Sequence, residues 1–545
     1  MLKRTARPLL ALAVGVTLAL TAGTAAGAAG TSGTAAAARH ADGPTVRTDQ
    51  GLVRGTVTDT VRTFQGIPYA APPTGERRWA PPAPAPRRAG ILDATRPGPA
   101  CPQTGVIAPL GTFSDNEDCL FLNVTTPRTS PARPRPVMVY LHGGDHNDGA
   151  GAMHGAGRLA AQGDVIAVTV NYRLGALGYL AHPDLEKRGE SGNYGFLDQQ
   201  EALRWVRRNA AAFGGDPHNV TLFGESAGGH SSCAHMVAPS SAGLFDRVIL
   251  QSAPCTGDEG GRDRAAALAD GERTAAGITD RLKQAGAPAD WRTADTEYLV
   301  RAPFGQEPAY APSYGGTLLP RTPREAFASG RFNRVPVLLG TNRDEERGRV
   351  YAMEGQKKAT TGDPDARLDQ ADVLAFLEPE FGAERARAIA ARYPADAYDG
   401  SYALALAAAL TDGNWSRYTV DMGRALSART RTYTYEFAEN DVPWYAGPSI
   451  PKPAGPTGAP HTFELPYIFE LAAHEQLTPA QRALSDDMIR IWTDFARTGT
   501  PGSTADWKPT TPAAVNALSL ASGPNGIRPV HFAKDHRYGF WKSLD

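Results

Sequence analysis

Short runs of apolar and β-branched residues recur along the chain, each long enough for one buried strand. The runs with this pattern are 136–141, 165–170, 220–223, 247–252 and 335–340. Apolar runs without alternation are typical of parallel strands covered on both faces. The segment 193–213 lies between two of these runs and has apolar residues at helical spacing. The repeated order of strand and helix predicts an α/β protein with a large, mostly parallel central sheet and helices on both faces.

The remaining segments predict additions to this sheet. Residues from Thr45 on suggest an opening hairpin, and the prolines of 64–73 favour an ordered extended loop. The segments 256–300 and 350–425 have helical patterns, and we interpret the second as a helical cap inserted between strands. Residues 431–437 alternate and predict a late strand.

The N-terminus has the features of an export signal. Lys3, Arg4 and Arg7 precede the apolar run 9–20, which is followed by Ala26-Gly27-Ala28. The run is shorter than the roughly 20 residues of a membrane span. We therefore expect a signal peptide at 1–28, a disordered leader at 29–44 and a single catalytic domain at 45–545, in a secreted protein without a membrane anchor.

Composition and charge narrow the function classes. The chain has 545 residues, 41% hydrophobic and 21% charged, with a formal net charge of −1. No basic stripe indicates a nucleic-acid partner. The sequence contains no P-loop, no G-x-G-x-x-G after a strand, and no clustered Cys and His residues. We expect neither a cofactor nor a metal ion.

Cysteines occur in an even number, as expected of an exported chain in which disulfides persist. They are Cys101, Cys119, Cys233 and Cys255. Three pairings are possible, and proximity along the chain favours Cys101 with Cys119 and Cys233 with Cys255.

The stretch around Ser226 carries the strongest chemical signal. The apolar run 220–223 is followed by Gly224-Glu225-Ser226-Ala227-Gly228 and then by a helical pattern. G-x-S-x-G between a strand and a helix forms a nucleophile elbow, in which the two glycines permit a tight turn that exposes the serine hydroxyl. The motif on its own also occurs in surface turns. Its position makes Ser226 the candidate nucleophile.

A glycine-rich loop follows the strand 136–141, upstream of the elbow. It reads His142-Gly143-Gly144. Such a loop brings backbone N–H groups close to a substrate, and each donor stabilises the negative charge of a tetrahedral intermediate by about 3 kcal/mol. The N–H groups of Gly143, Gly144 and Ala227 are the candidate oxyanion donors; an ordinary glycine loop is the alternative.

A nucleophilic serine also requires a base and an acid. Asp344, Glu345 and Glu346 follow the strand 335–340, and any of them could orient a histidine. Four histidines lie downstream of the acids, in the order Ser, acid, His that this architecture uses: His461, His474, His531 and His536. We favour His461 because it ends a glycine-rich loop, whereas the others lie in a helix or the C-terminal tail.

With these features in place, the chain resembles the type B carboxylesterases, a serine hydrolase family with an α/β-hydrolase fold that also contains cholinesterases and some fungal lipases. The resemblance is to the secreted bacterial type and extends from about Thr45 to the C-terminus. The segments that carry it are FQGIPYAAPP, EDCLFLNV, NYRLGALG, GNYGFLDQQ, GESAGG, LLGTNRDE, HTFELPY and WTDFARTG.

The resemblance assigns roles to particular residues. It implies Ser226 as nucleophile, Glu345 as acid and His461 as base, and it matches the family's early disulfide to Cys101 and Cys119. It further implies that Glu225 lines the site and that Ser252 supports the triad from behind.

Two positions depart from the family pattern. Asp145-His146 stands where the family usually has a small residue followed by an aromatic one, and a carboxylate there opposes an oxyanion. We expect the Asp145 N–H to donate while its side chain turns away. The second departure, Tyr314-Gly315-Gly316 in place of the usual D-G ahead of L-P, concerns packing.

The expected function is that of a secreted serine carboxylesterase, which hydrolyses small-molecule esters through an acyl-enzyme on Ser226. The alternatives are a lipase for longer acyl chains, a hydrolase of amides or lactones, and a non-catalytic binding protein on the same fold. The polar run Asp145-His146-Asn147 suggests the hypothesis of a less apolar acyl pocket. The oligomeric state cannot be read from the sequence.

Overall fold

The computed structural model of the protein describes residues 43–105, 113–187, 190–257, 261–300, 310–445, 452–453, 455–471, 474–502 and 507–545. The predicted signal peptide, and the predicted leader up to residue 42, lie outside the described residues. Within the described part of the chain, no helix combines the length and the hydropathy that crossing a bilayer requires.

A central sheet of eleven strands dominates the structure. The strands of the described chain are β1 (Thr45–Thr48), β2 (Gly51–Arg54), β3 (Thr56–Val57), β4 (Val61–Pro68), β5 (Ile91–Asp93), β6 (Phe121–Pro127), β7 (Arg135–Leu141), β8 (Ile166–Val170), β9 (Gly215–Glu225), β10 (Arg247–Gln251), β11 (Arg262–Asp263), β12 (Ser313–Tyr314), β13 (Val337–Asn342), β14 (Thr432–Phe437), β15 (Ala517–Leu520) and β16 (Arg528–Val530). The order across the central sheet is β16-β15-β14-β13-β10-β9-β7-β8-β6-β4-β3. In this spatial order, neighbouring strands from β15 across to β8 are parallel, and the strand pairs at the two edges of the sheet are antiparallel.

Helices cover both faces of this sheet. They are α1 (Gly157–Gly163), α2 (Gly175–Tyr179), α3 (Tyr194–Asn209), α4 (Ala227–Val237), α5 (Arg264–Gln284), α6 (Thr296–Val300), α7 (Pro323–Ser329), α8 (Arg347–Thr361), α9 (Gln370–Phe381), α10 (Ala383–Arg392), α11 (Tyr402–Leu410), α12 (Arg417–Ser427), α13 (Pro479–Thr498), α14 (Phe532–Asp535) and α15 (Tyr538–Ser543). The predicted helical cap is confirmed as α8 to α12, which lie between β13 and β14.

Alternate residues of the central strands supply two hydrophobic cores. On β7, Val139 and Leu141 belong to the core that contains Trp205 of α3, whereas Tyr140 belongs to the core that contains Trp492 of α13. Successive side chains of a strand point to opposite faces, so a fully apolar strand is buried from both sides. This confirms the interpretation of the apolar runs.

The structure corrects the prediction for the segment after the opening hairpin. The hairpin forms between β1 and β2, but Phe64 to Pro68, predicted to be a loop, are the end of β4. They pair with β6 across a register shift between Phe64 and Ile67. The prolines did not prevent this, because Pro68 ends the strand, where a missing N–H is tolerated.

Both pairings that proximity favoured are disulfides in the structure. Cys101 is bonded to Cys119, and Cys233 to Cys255. Cys233 lies on α4 and Cys255 follows β10, so the second bond ties the helix behind Ser226 to the neighbouring strand.

Candidate active site

Ser226 lies at the junction of β9 and α4 in a strained backbone conformation. Its φ is 54° and its ψ is −123°, outside the regions that L-residues ordinarily adopt. The N–H of Ser226 donates to the Gln251 carbonyl (3.0 Å), and its own carbonyl accepts from the His230 N–H (2.9 Å). A Cβ on Gly228 would lie 1.9 Å from the Leu141 carbonyl oxygen, so the tight turn requires glycine there.

The glycine loop after β7 passes directly beside this turn. A Cβ on Gly143 would lie 3.1 Å from the Ser226 Cβ and 2.6 Å from a Glu225 carboxylate oxygen. The Tyr172 hydroxyl fixes the start of the loop by donating to the His142 carbonyl (2.6 Å). Gly144 has a φ of 102°, which favours glycine. The predicted oxyanion donors Gly143, Gly144 and Ala227 thus lie on two segments in contact with each other.

The unusual pair Asp145-His146 divides between surface and interior. Both residues have a φ of 55°, and the Asp145 side chain is exposed. The His146 side chain is buried, with its Nε2 3.1 Å from the Ser231 hydroxyl on α4. Burial, foremost, lowers the pKa of His146 to about 3, so the ring is neutral. His146 therefore braces the loop against α4.

His461 and Glu345 are in direct contact. The Nδ1 of His461 lies 2.7 Å from the Oε2 of Glu345. The other carboxylate oxygen of Glu345 accepts from the Asn342 N–H (2.8 Å), and its carbonyl accepts from the His461 N–H (3.1 Å). The acid is thereby held at the carboxyl end of β13, with the histidine against it.

Glu225 faces the opposite edge of the same imidazole. Its Oε1 lies 3.3 Å from the His461 Nε2, and its side chain is fully buried. Neither carboxylate oxygen has a hydrogen-bond partner among the described residues. Burial, as the largest cause, raises the pKa of Glu225 well above its usual range. Burial by itself would lower the pKa of His461, but the charges of Glu225 and Glu345 outweigh it and raise that pKa to about 10.

The strained serine, the glycine loop and the acid–histidine pair all lie in a part of the chain that matches a known protein family. The model of the carboxylesterase family matches residues 42–541. The chain belongs to the carboxylesterase family. It is a serine carboxylic ester hydrolase of the type B group.

Relatives and solved structures agree with this assignment. This carboxylesterase is 34% identical over 476 residues to para-nitrobenzyl esterase of Bacillus subtilis (strain 168), covering 84% of this chain and 91% of that one. It is 31% identical over 532 residues to cocaine esterase of Homo sapiens, covering 92% and 91%. The solved structure of a thermophilic PNB esterase superimposes with a TM-score of 0.72 at 32% identity, covering 91% of this chain and 99% of the other. The predicted α/β-hydrolase fold is confirmed.

The other acids and histidines considered from the sequence have different surroundings in this carboxylesterase. Asp344 forms an ion pair with Arg347 (2.6 Å), and Glu346 accepts from the Trp415 indole (2.8 Å). His474 lies against the Glu475 carbonyl, and His531 is exposed before α14. His536, near the C-terminus, is buried between the carboxylates of Asp412 and Glu436.

Ser252 follows β10, the strand that pairs with the elbow strand β9. It has a φ of 47°, and its N–H donates to the Gly340 carbonyl of β13 (2.8 Å). Its hydroxyl is buried without a hydrogen-bond partner among the described residues.

Sequence reasoning missed a buried carboxylate beneath the site. Glu464 accepts from the Asn342 amide (2.9 Å) and the Gln251 amide (3.0 Å), which link it to β13 and β10. Burial, foremost, raises the pKa of Glu464. The signal for it in the sequence was a carboxylate three residues after His461, placed between the apolar Phe463 and Leu465.

Trp415 was also missed. Its ring centroid lies 4.6 Å from that of His461, with 44° between the planes. It comes from the helical cap, in a segment without any motif, so no local signal could have placed it at the site.

Within the described ranges, no group of histidine, cysteine and acidic side chains is arranged to hold a metal ion.

Proposed function

We propose that this carboxylesterase cleaves its esters through a Ser226–His461–Glu345 triad and an acyl-enzyme intermediate. The observation that carries the proposal is the 2.7 Å contact between His461 Nδ1 and Glu345 Oε2, which leaves Nε2 facing the elbow segment. A histidine held in this way accepts a proton at Nε2 while the acid stabilises the imidazolium that forms.

The steps follow from this geometry. His461 takes the Ser226 proton, the Ser226 oxygen attacks the ester carbonyl, and the imidazolium then protonates the leaving alcohol. Water, deprotonated by the same His461, attacks the acyl-enzyme and releases the carboxylic acid. The N–H groups of Gly143, Gly144 and Ala227 stabilise the oxyanion in both halves of the reaction. Ser252 and Glu225 support the triad without taking the serine proton.

We further propose that the chain is exported, with a signal peptide at 1–28, a leader at 29–44 and one catalytic domain at 45–545. The two disulfides support this proposal, because such bonds persist in oxidising compartments.

The surface of the cap favours an esterase for small substrates over a lipase. The large hydrophobic side chains that are exposed in the described chain are Val57, Ile91 and Phe113, and none belongs to the helices α8 to α12. A lid that opens at an oil surface needs apolar area to present to it. The name of the Bacillus subtilis relative makes para-nitrobenzyl esters suitable probes.

The test is a nitrophenyl ester series from acetate to palmitate on the purified mature chain, with Ser226→Ala as control. We expect hydrolysis of the short esters and a loss of at least about 10⁴-fold in kcat with the variant. Preference for palmitate would indicate a lipase. Folded protein without activity on any chain length would indicate a binding protein, and a variant that keeps the kcat of the wild type would exclude Ser226 as nucleophile.

A further inference from the structure

The helical cap contains an irregular turn at the point where it meets the site. Residues Thr411–Ser416 form a π-helical turn between α11 and α12. Such turns are rare and are frequently found at functional sites. Relaxation of the turn to α-helical hydrogen bonding would alter the directions in which its side chains point, so the contacts on both sides of it determine where they lie.

One side of the π-turn contacts the site. Trp415 packs against the His461 ring at 4.6 Å, and its indole N–H donates to the Glu346 carboxylate (2.8 Å). The Glu346 N–H in turn donates to the Thr411 hydroxyl (3.2 Å). The π-turn is thus bonded to the residue after Glu345 and packed on His461.

The other side is bonded to the C-terminal segment. The Asp412 carboxylate lies 2.5 Å from the Nδ1 of His536, whose Nε2 lies 2.6 Å from the Glu436 carboxylate on β14. A ring that donates to carboxylates from both nitrogens is an imidazolium. All three side chains are buried, so this link between cap, sheet and C-terminus is shielded from water.

Trp541 completes the link. Its indole N–H donates to the Tyr393 hydroxyl (2.8 Å), which donates to the second Asp412 oxygen (2.6 Å). A Cβ on Gly413 would lie 2.6 Å from the Trp541 ring, so the ring lies flush against the π-turn.

We propose that the C-terminal residues His536 and Trp541 are positioning residues for catalysis, which hold the π-turn so that Trp415 fixes the orientation of His461. The inference rests on the proposed role of His461 as base. Neither residue contacts the substrate. They act through Asp412 and the π-turn, and the effect on catalysis passes through Trp415.

A double-mutant cycle tests this route. We would measure kcat and KM for nitrophenyl acetate with the wild type, His536→Gln, Trp415→Ala and the double variant, well below each melting temperature. We expect each single variant to lower kcat about tenfold with KM within twofold. In the double variant, the second substitution should lower kcat by less than a further twofold, because both substitutions interrupt the same chain of contacts from His536 through the π-turn to His461. Additive losses, or a destabilised His536→Gln with the kcat of the wild type, would overturn the proposal.

The chain offers a matched control and a milder variant. The Tyr538 hydroxyl joins the same C-terminal segment to Asp421 of α12 (2.5 Å), away from Asp412, so Tyr538→Phe should keep the wild-type kcat. If His536→Gln does not fold, Tyr393→Phe is the milder variant, since it removes one hydrogen bond to Asp412. We expect it to lower kcat about threefold in the wild-type background and to have little further effect once Trp415 is replaced by alanine. An unchanged kcat in Tyr393→Phe would contradict the proposal. Ser226→Ala retaining activity would refute the proposed function instead.

Discussion

Glu225 has a buried carboxylate whose position is not explained by any hydrogen bond among the described residues. It is buried beside the nucleophile, and its carboxylate meets the His461 Nε2 at 3.3 Å. A buried carboxylate without hydrogen bonds costs stability. Its presence at this position points to an electrostatic role, because a negative charge there stabilises the imidazolium that forms during catalysis.

Glu225→Gln should shift the acid limb of the kcat/KM profile to lower pH, by one unit or more. Burial lowers the wild-type pKa of His461, but the carboxylates of Glu225, Glu345 and Glu464 raise it, Glu225 the most, and catalysis needs the neutral ring. Removal of one charge lowers the pKa, so the ring stays neutral in more acidic solution. Glu464→Gln is the control, with a smaller shift, since Glu464 raises the pKa of His461 less. An unchanged acid limb would mean that Glu225 is already protonated when His461 titrates.

Asp145 is the second residue of interest, because it carries an exposed carboxylate in the loop of the oxyanion donors. Asp145→Asn removes the charge and keeps a side chain that tolerates a positive φ. We expect kcat for nitrophenyl acetate to rise about threefold, since a negative charge near the oxyanion opposes its formation. The rise should shrink in high salt, which screens exposed charges. A lower kcat would assign Asp145 a supporting role.

At the scale of elements, the loop that carries His461 is pinned at successive residues. Thr462 has a φ of 75°, which is a strained conformation for a β-branched residue. The Tyr445 hydroxyl lies 2.5 Å from both the carbonyl and the hydroxyl oxygen of Thr462. The Asn342 amide donates to the carbonyl of Pro460 (2.7 Å) on the other side of His461.

Tyr445→Phe should therefore loosen this loop and lower kcat about fivefold, with little change in KM. The kcat decreases because the base His461 is less well oriented, whereas KM stays nearly unchanged because substrate binding is not affected. Tyr435→Phe is a matched control, because the Tyr435 hydroxyl is buried without a hydrogen-bond partner among the described residues. Its loss should leave kcat unchanged and stability equal or higher. Equal effects of the two variants would argue against the bond to Thr462.

At the scale of the whole molecule, His536 joins the cap, the sheet and the C-terminus. Burial lowers its pKa, but the hydrogen bonds and charges of Asp412 and Glu436 outweigh burial and raise the pKa to about 10. The unfolded chain has the ordinary histidine pKa of about 6.5. A folded pKa above the unfolded one gives stabilisation that is complete below pH ~6.5 and is lost progressively as the pH rises to about 10.

The free energy of unfolding should therefore differ between wild type and His536→Gln by about 3 kcal/mol at pH 6, because the variant removes the imidazolium between two buried carboxylates and leaves Arg537 paired with Asp412 at 3.5 Å. The difference should shrink at pH 8 and again at pH 10. Urea unfolding at the three pH values measures it, and titrations common to both proteins cancel in the difference. A difference independent of pH would show that His536 is neutral in the folded state.

The sequence by itself determined the features that depend on neighbouring residues. The apolar runs predicted the strands of the parallel sheet, because a strand that is covered on both faces is apolar at successive positions and does not alternate with polar residues. Gly224 and Gly228 around Ser226 predicted the elbow, since only glycine permits so tight a turn. The resemblance to a family added Glu345 to this local picture and agreed with His461, which its position in the chain already favoured.

Tertiary structure decided what depends on residues distant in the chain. Reasoning from the elements alone left Asp344, Glu345 and Glu346 open, because adjacent residues in a loop differ only in where the fold directs them. Trp415 and His536 lie outside every recognised segment, and the segment HTFELPY does not reveal what Glu464 contacts. The cap, this loop and the C-terminal segment that carry the three residues come together only in the folded chain. A local pattern reports the conformation of its own segment, whereas contacts between segments follow from how the whole chain packs.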